Sequence, residues 1–486
     1  MRYFPLFIDG AWRGGSEGKR FASYNKATGA AVNEFAVSTQ ADVAEACRAA
    51  RAAAPLWAGL DAETRAGYMR KAAAVMRRRQ REMAEVEAAE TGKPVFDTFG
   101  FDTRVAIWAF EYFAGLALEI KGDVIPLGDC NFRDFDFVTY EPYGVAAIIA
   151  PYNFPIHLLT RSMAPALAAG NTCVIKGSSI TPTTAAMVAE ACEEAGFPRG
   201  VVNLVQGSGA TVGEWLVRDP EVDVVGFTGS EEVGRQLMHL SAASKVIKKL
   251  VLELGGKGGV IIEPDADLDI ATTCQIEGFT FNQGEVCCAM TRAIVHESVK
   301  DAYLELLAQK CDQVRIGDPL DDETRMGALI SMEHLNRVHG HVRRAVEQGA
   351  ALYYGGERYM EGLCAEGPFY RPTILTGVMP DMDAWRQEIF GPVLCVATYT
   401  ELEDAIELAN ATDFGLGANI FTEDLKKAYQ IGRRLNAGSV WVNLPNGMHM
   451  ACPFGGNKNS GTGREYGTYG LHEYLKVKNN MWRMHD

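Results

Sequence analysis

From about residue 145 the apolar positions fall into short continuous runs separated by longer amphipathic stretches. The segments "VAAIIAP", "TCVIK", "VVNLV", "VDVVGF" and "KLVLEL" have the length and β-branched content of buried strands. Between them, "TPTTAAMVAEACEEAG", "GSGATVGEWLV" and "TGSEEVGRQL" read as helices or loop–helix units, with Gly196 closing the first. Strands alternating with helices of this length predict a Rossmann-like, doubly wound parallel sheet. After Gly255 a second α/β series begins, with strands in "GVIIE", "AIVHE", "GPVLCVAT" and "SVWVN" and a helix in "SVKDAYLELLAQ". Near the N-terminus, "LFIDGAWR" predicts a hairpin, because Asp9-Gly10 suits a type I′ turn. Residues Ala62 to Glu90 predict one long helix, ended by a left-handed Gly92 and by Pro94. Apolar and polar residues alternate in "RDFDFVTYEPYG" and "HEYLKVKNN", which predicts two edge strands. Long edges need covering, and pairing between subunits would cover them.

Composition narrows the class. A chain of 486 residues exceeds one ordinary core, so two or three packed units are expected. Lys+Arg is 47 and Asp+Glu is 62, a net charge of −15, so a nucleic-acid partner is not expected. The basic run "RRRQR", Arg77 to Arg81, reads as a solvated helix face. Eleven cysteines without paired spacing point to a reducing compartment. The start "MRYFPLFIDGAW" has no apolar signal region, and the longest apolar runs are too short to span a bilayer. These readings predict a soluble, cytoplasmic protein.

A dinucleotide is the natural ligand of such a sheet, yet the G-x-G-x-x-G fingerprint is absent. "GSGATVG" (Gly207, Gly209, Gly213) is one residue too long. "GFTGSEE" is better placed: a strand ends near Phe227, and Thr228-Gly229-Ser230 leads into a helix start suited to phosphate. The same residues also read as an N-cap with a turn glycine. The nine histidines form no H-E-x-x-H and no C-x-x-C occurs, so no metal is expected. No serine nucleophile elbow and no P-loop is present. That leaves "FNQGEVCCAMTR", with Cys287 and Cys288 side by side. Core filler, metal ligand and nucleophile all remain open from this stretch alone. A nucleophile would need a base and an oxyanion site elsewhere in the chain.

Six separated segments then match one pattern. They are "PYNFP" (Pro151 to Pro155), "FTGS" (Phe227 to Ser230), "LELGGK" (Leu252 to Lys257), "FNQGEVC" (Phe281 to Cys287), "EIFGPV" (Glu388 to Val393) and "PFGGNKNSGTGRE" (Pro453 to Glu465). In these the chain resembles the aldehyde dehydrogenase superfamily over essentially its full length. The resemblance implies Cys287 as nucleophile, Glu253 as general base for hydrolysis, and the Asn153 amide with the Cys287 N–H as oxyanion donors. For an NAD or NADP cofactor it implies Ile149, Tyr152, Lys176, Ser179, Gly207, Phe227, Gly229, Ser230, Leu254, Glu388 and Phe390. For the substrate pocket it implies Phe154, Leu158, Arg161, Phe281, Val286, Cys288, Met448, His449 and Phe454.

The implied fold has three parts. They are a cofactor domain (1–124 and 145–254), a catalytic domain (255–455) and a bridging element (125–144 and 456–486) that makes homodimers or homotetramers. Departures from the pattern also matter. Ser179 stands where a glutamate often grips the ribose, so NADP is expected to be usable. Gly177 and Glu285 replace a common proline and a common glutamine without an evident reason. Tyr152 stands where tryptophan is frequent and Ser162 where lysine is common. Arg161 occupies a position that faces the substrate in relatives handling carboxylated semialdehydes, although similar "RS" pairs also occur in relatives that oxidise aromatic aldehydes. The implied reaction is oxidation of an aldehyde to its acid. The alternatives are a CoA-acylating relative, which usually lacks the glutamate, and a non-catalytic relative with a dead site. The resemblance does not name the aldehyde.

Overall fold

The computed structural model describes residues 1–127 and 134–483. The fold is α/β, built on two seven-stranded, mainly parallel sheets. In the first, the strand order is Lys249–Glu253, Val224–Thr228, Val145–Ile149, Thr172–Lys176, Val202–Leu204, then Leu6–Ile8 and Ala11–Arg13. The first five run parallel and every residue of the middle three is buried, which is why their sequences are continuous apolar runs. The last two form the expected hairpin, with Asp9 at φ 51° and Gly10 at φ 71°. The order reverses between Val145–Ile149 and Val224–Thr228. That switch opens a crevice beyond the carboxyl ends of these two strands, where ligands of such sheets bind.

In the second sheet the order is Ala351–Tyr354, Thr373–Thr376, Val393–Tyr399, Arg292–His296, Gly259–Ile262, Gly417–Phe421 and Ser439–Val442. Only Ala351–Tyr354 pairs antiparallel. The turn "LGGKG" after Glu253 carries the chain directly from an edge of the first sheet into the second. The segment around Gly461 locks that exit. Leu254 N–H donates to Ser460 O at 2.9 Å and Thr462 N–H to Leu252 O at 3.1 Å. Gly461 sits at φ 132°, and a Cβ there would lie 2.1 Å from Leu252 O, so only glycine allows the approach.

Two expectations need correction. Residues 62–90 are not one helix. Ala62–Arg78 and Gln80–Thr91 are separate, broken at Arg79 (φ −103°, ψ 11°), with Gly92 capping the second at φ 82°. Every residue around Arg79 favours helix, so the break has no local signal. It comes from packing, which turns Ala84 and Ala88 of the second helix onto Val95. The alternating segments are not two edge strands. Asp134–Pro142 pairs along its length with Leu475–Arg483 and, on its other side, with Asp123–Ile125, so it is central in a three-stranded sheet. Only Leu475–Arg483 is the long edge, and Val477, Met481 and Trp482 on it are exposed.

The basic run lies on the surface, each arginine paired with an acid, as in Arg81 with Glu85 at 2.7 Å and Asp322 at 2.9 Å. Among the described residues no helix is long and apolar enough to cross a membrane.

Candidate active site

Two loops are stitched together at the crevice. After the helix Leu268–Thr280, Asn282, Gln283 and Gly284 are successively left-handed, at φ 49°, 54° and 75°. Asparagine tolerates this conformation; glutamine does so at a cost that the surrounding bonds must meet. Asn282 Nδ2 donates to Asn153 O at 2.9 Å and Glu285 O at 3.0 Å. Asn153 Nδ2 donates to Glu285 O at 2.9 Å. A Cβ on Gly284 would lie 2.3 Å from the Gly391 carbonyl, and one on Gly256 would lie 2.2 Å from Cys287 O. These close approaches hold Cys287 and Asn153 on one wall of a cavity of about 350 Å³. Asn153 Nδ2 keeps a second hydrogen for a ligand. No hydrogen bond among the described residues uses the Cys287 N–H.

Behind Cys287 lies a buried ion pair. Glu253 is 2% exposed, and its Oε2 accepts from Arg161 Nη2 at 3.0 Å. Arg161, 1% exposed, also donates to Thr228 Oγ1 at 2.9 Å. Its Nε stands 4.0 Å from Glu465, and its guanidinium carbon lies 5.8 Å from both the Phe454 and Tyr466 ring centres. Glu253 Oε1 is buried without a partner. Burial raises the Glu253 carboxyl above its ordinary value, and the Arg161 charge opposes this. The Cys287 thiol is also pushed up, first by its hydrogen bond to Cys288, then by burial and the Glu253 charge.

The rest of the cavity sits at the sheet's switch point. Tyr152 follows one strand; Thr228 ends its neighbour, and Gly229 and Ser230 follow it. Ser230 caps the helix Glu231–Ala242, its Oγ accepting from Val233 N–H at 3.3 Å. A Cβ at Gly229 would lie 2.4 Å from the Phe227 ring, so a larger residue there would have to displace that ring. Glu388 Oε1 accepts from Gly256 N–H at 3.0 Å, and burial pushes its carboxyl up to about 7. Phe390, at φ 56°, sets its ring 6.1 Å from that of Tyr152. Leu254 completes this wall.

Lys176 is buried at a strand end, its ammonium lowered to about 8 by burial. Ser179 is half-buried and does not cap the following helix. That helix, Thr183–Glu194, starts at Pro182 with no side-chain cap. Ile149 and Phe227 pack in the core, and neither they nor Gly207 line the cavity. A Cβ on Gly177 would lie 2.8 Å from Ala185 Cβ, a steric reason for glycine there.

On the far side of Cys287 a second cavity, of about 710 Å³, is lined by Phe154, Phe281, Val286, Cys288 and Met448. The two adjacent cysteines thus face different cavities. Leu158 is buried in the core instead. Phe454 and His449 border a third cavity, of about 490 Å³, and the exposed His449 sets its ring 4.8 Å from Trp108. Arg161 lines neither of the two cavities beside the cysteine pair, because Glu253, Thr228 and Glu465 surround its guanidinium.

Sequence reasoning missed several wall residues. His334, Arg337 and His341 line the smaller cavity from one face of the helix Met332–Glu347. Their i, i+3, i+7 spacing was the available signal. Phe96, Asp97 and Phe101 line the larger one. Burial pushes the Asp97 carboxyl up to about 7. Glu285 now has a setting. Its Oε1 accepts from Ile330 N–H at 3.2 Å and Tyr152 Oη at 3.3 Å, and burial pushes its carboxyl up to about 8.

Among the described residues no three His, Cys, Asp or Glu side chains group to hold a metal. The described cysteines are free thiols.

The family model of the aldehyde dehydrogenase family matches residues 12–480. An NAD-dependent aldehyde dehydrogenase from Sinorhizobium meliloti is 37% identical, covers 99% of this chain and 95% of its own, and superposes with a TM-score of 0.96. An aldehyde dehydrogenase from Bacillus cereus solved with NAD⁺ is 35% identical over 99% of this chain and 97% of its own, at a TM-score of 0.95. An indole-3-acetaldehyde dehydrogenase complexed with NAD⁺ shares 35% identity over 99% and 97%, at 0.96. A match over nearly the whole chain, with the same architecture throughout, settles the lineage: this chain belongs to the aldehyde dehydrogenase family.

Proposed function

We propose that the protein oxidises an aldehyde to its carboxylic acid with a nicotinamide dinucleotide, using Cys287 as nucleophile. The observation that carries this reading is Cys287 and the Asn153 amide on one cavity wall, with buried Glu253 facing the thiol. The cavity fits a dinucleotide. It lies at the switch point, glycines at 229 and 255 leave room for close approach, and a Cβ on Gly255 would lie 2.5 Å from Glu388 Oε2. Gly229 and Ser230 would hold the pyrophosphate, Glu388 a ribose, and Lys176 and Ser179 the adenosine end. When bound, the nicotinamide supplies the hydride acceptor.

The chain's own residues supply the rest. Once the Cys287 thiol has lost its proton to solvent, attack by the thiolate on the aldehyde carbon gives an ionised thiohemiacetal. Its oxyanion is met by the free Asn153 Nδ2 hydrogen and the Cys287 N–H. Oxidation leaves a thioester on Cys287. Glu253 takes a proton from water, and the resulting hydroxide releases the acid. The presence of Glu253 supports hydrolysis over transfer to CoA, and the unbroken Cys287–Glu253–Asn153 set supports a live site. The reading is tested by mixing the protein with a short aldehyde and NAD or NADP and following reduced nicotinamide. No reduction with either cofactor overturns it.

Asn153→Ala is expected to lower kcat by about 10²-fold, the usual scale for one oxyanion donor. Steady-state kinetics checks it, and a change below about threefold would show that the amide is not used.

Cofactor choice follows from Ser179. Without a carboxylate there, a 2′-phosphate meets no repulsion, and Lys176 lies nearby to attract it. NADP is therefore expected to be used alongside NAD. Ser179→Glu is expected to shift the KM ratio toward NAD by roughly ten- to a hundredfold. An unmoved ratio would refute the role of this position.

The division into a cofactor domain (1–124 and 145–254), a catalytic domain (255–455) and a bridging element (125–144 and 456–486) belongs to the same proposal. So do the reducing cytoplasm and a homodimer or homotetramer built through the exposed edge Leu475–Arg483.

A further inference from the structure

The larger cavity has more to say about the aldehyde than the motifs do. Its lining includes Val286 and Cys288, the sequence neighbours of the proposed nucleophile. Three phenylalanines of the same lining pack against one another. The Phe101 ring meets Phe281 edge-on at 5.6 Å and Phe154 at 6.1 Å, and Phe154 lies 5.8 Å from Phe281. Edge-to-face walls of this kind favour a further ring. The volume of about 710 Å³ far exceeds the needs of a two-carbon aldehyde.

Charge is arranged against an anionic substrate. Arg161 is buried against Glu253, and Lys93, 3.6 Å from the Phe154 ring centre, is buried against Asp102; both lie outside the cavity lining. The cavity's own cations, the half-buried Lys310 and the exposed Arg325, are engaged. Lys310 Nζ donates to Asp269 and Thr273, and Arg325 donates to Asp322 O and Thr324 O while stacking on Phe96 at 4.0 Å. Asp97 adds a carboxyl to the wall. A carboxylate at the tail of the substrate would lose its water to phenyl rings and an acid.

We propose that the substrate of this site is an uncharged, ring-bearing aldehyde, and not a carboxylated semialdehyde. The inference rests on the aldehyde-oxidising reading above and adds the substrate class to it.

The test is kcat/KM of the wild-type enzyme for benzaldehyde, phenylacetaldehyde, acetaldehyde and 4-oxobutanoate, with saturating NAD or NADP. At least one ring aldehyde is expected to exceed 4-oxobutanoate by about 10²-fold or more. Equal or better oxidation of 4-oxobutanoate would overturn the substrate class while leaving the oxidation reading intact. Binding to Cys287→Ala by calorimetry separates the two claims. If no aldehyde is oxidised but phenylacetaldehyde binds at least about tenfold tighter than 4-oxobutanoate, the reaction is misassigned and the pocket reading stands. Equal binding of the two overturns the pocket reading.

Discussion

Cys287→Ala is expected to abolish aldehyde oxidation, with kcat falling by at least about 10⁴-fold, because the proposed covalent intermediate forms on its sulfur. The neighbouring thiol cannot substitute. Cys288 is 3% exposed and lines the larger cavity, away from the wall that carries Asn153. An oxyanion formed on Cys288 would miss the donors that Asn153 and the Cys287 N–H provide. Cys288→Ala is therefore expected to leave oxidation largely intact. The measurement is steady-state oxidation for both variants, with circular dichroism to confirm folding. Loss of activity in folded Cys288→Ala, with activity kept in Cys287→Ala, would reverse the assignment.

Glu253→Gln is expected to leave a burst of reduced cofactor while slowing turnover by about 10³-fold, within the range for loss of a positioned base. The thioester would form and then wait for water. The burst should survive because the Glu253 charge raises the Cys287 value, so removing it favours the thiolate. In the wild type the sign of the pH effect is fixed by the base, which works only when ionised. The folded-state value of Glu253 lies above the ordinary 4.5, so hydrolysis should rise with pH through a midpoint higher than that. Arg161 opposes the upward shift, so Arg161→Met should move the midpoint further toward alkaline pH. Glu253→Gln should erase this limb. Single-turnover acyl-enzyme hydrolysis from about pH 5 to about pH 9 would show all three. A Glu253→Gln enzyme without a burst but with normal hydrolysis would remove the residue from this role.

The parallel sheets were legible because a strand buried on both faces must be apolar throughout, and "VAAIIAP" or "TCVIK" can hardly be anything else. The Asp9-Gly10 hairpin was legible because both residues accept positive φ. The type of chemistry was legible in short motifs, where residue identity is constrained by backbone as well as reactivity. Gly256, Gly284 and Gly461 leave no room for a Cβ against Cys287 O, Gly391 and Leu252 O.

Other features had no local signal. The break at Arg79 lies in a stretch of good helix formers, and tertiary packing overrode them. Asp134–Pro142 alternates like an edge strand, yet pairing on both sides makes it central, and its buried positions are Asp136 and Val138 while Phe135 is exposed. Pattern says nothing about who pairs with whom, and here it did not report which face is buried. His334, Arg337 and His341 come from a helix remote in sequence from the motifs.

The sequence by itself determined the α/β architecture, the family motifs and the candidate nucleophile, base and oxyanion donor. Only the tertiary structure decided what Arg161 does, since 92 positions separate it from Glu253 and no spacing rule links them. Two ionised groups driven into a dry interior must find each other, and which cation reaches which acid depends on how a helix and a neighbouring strand pack.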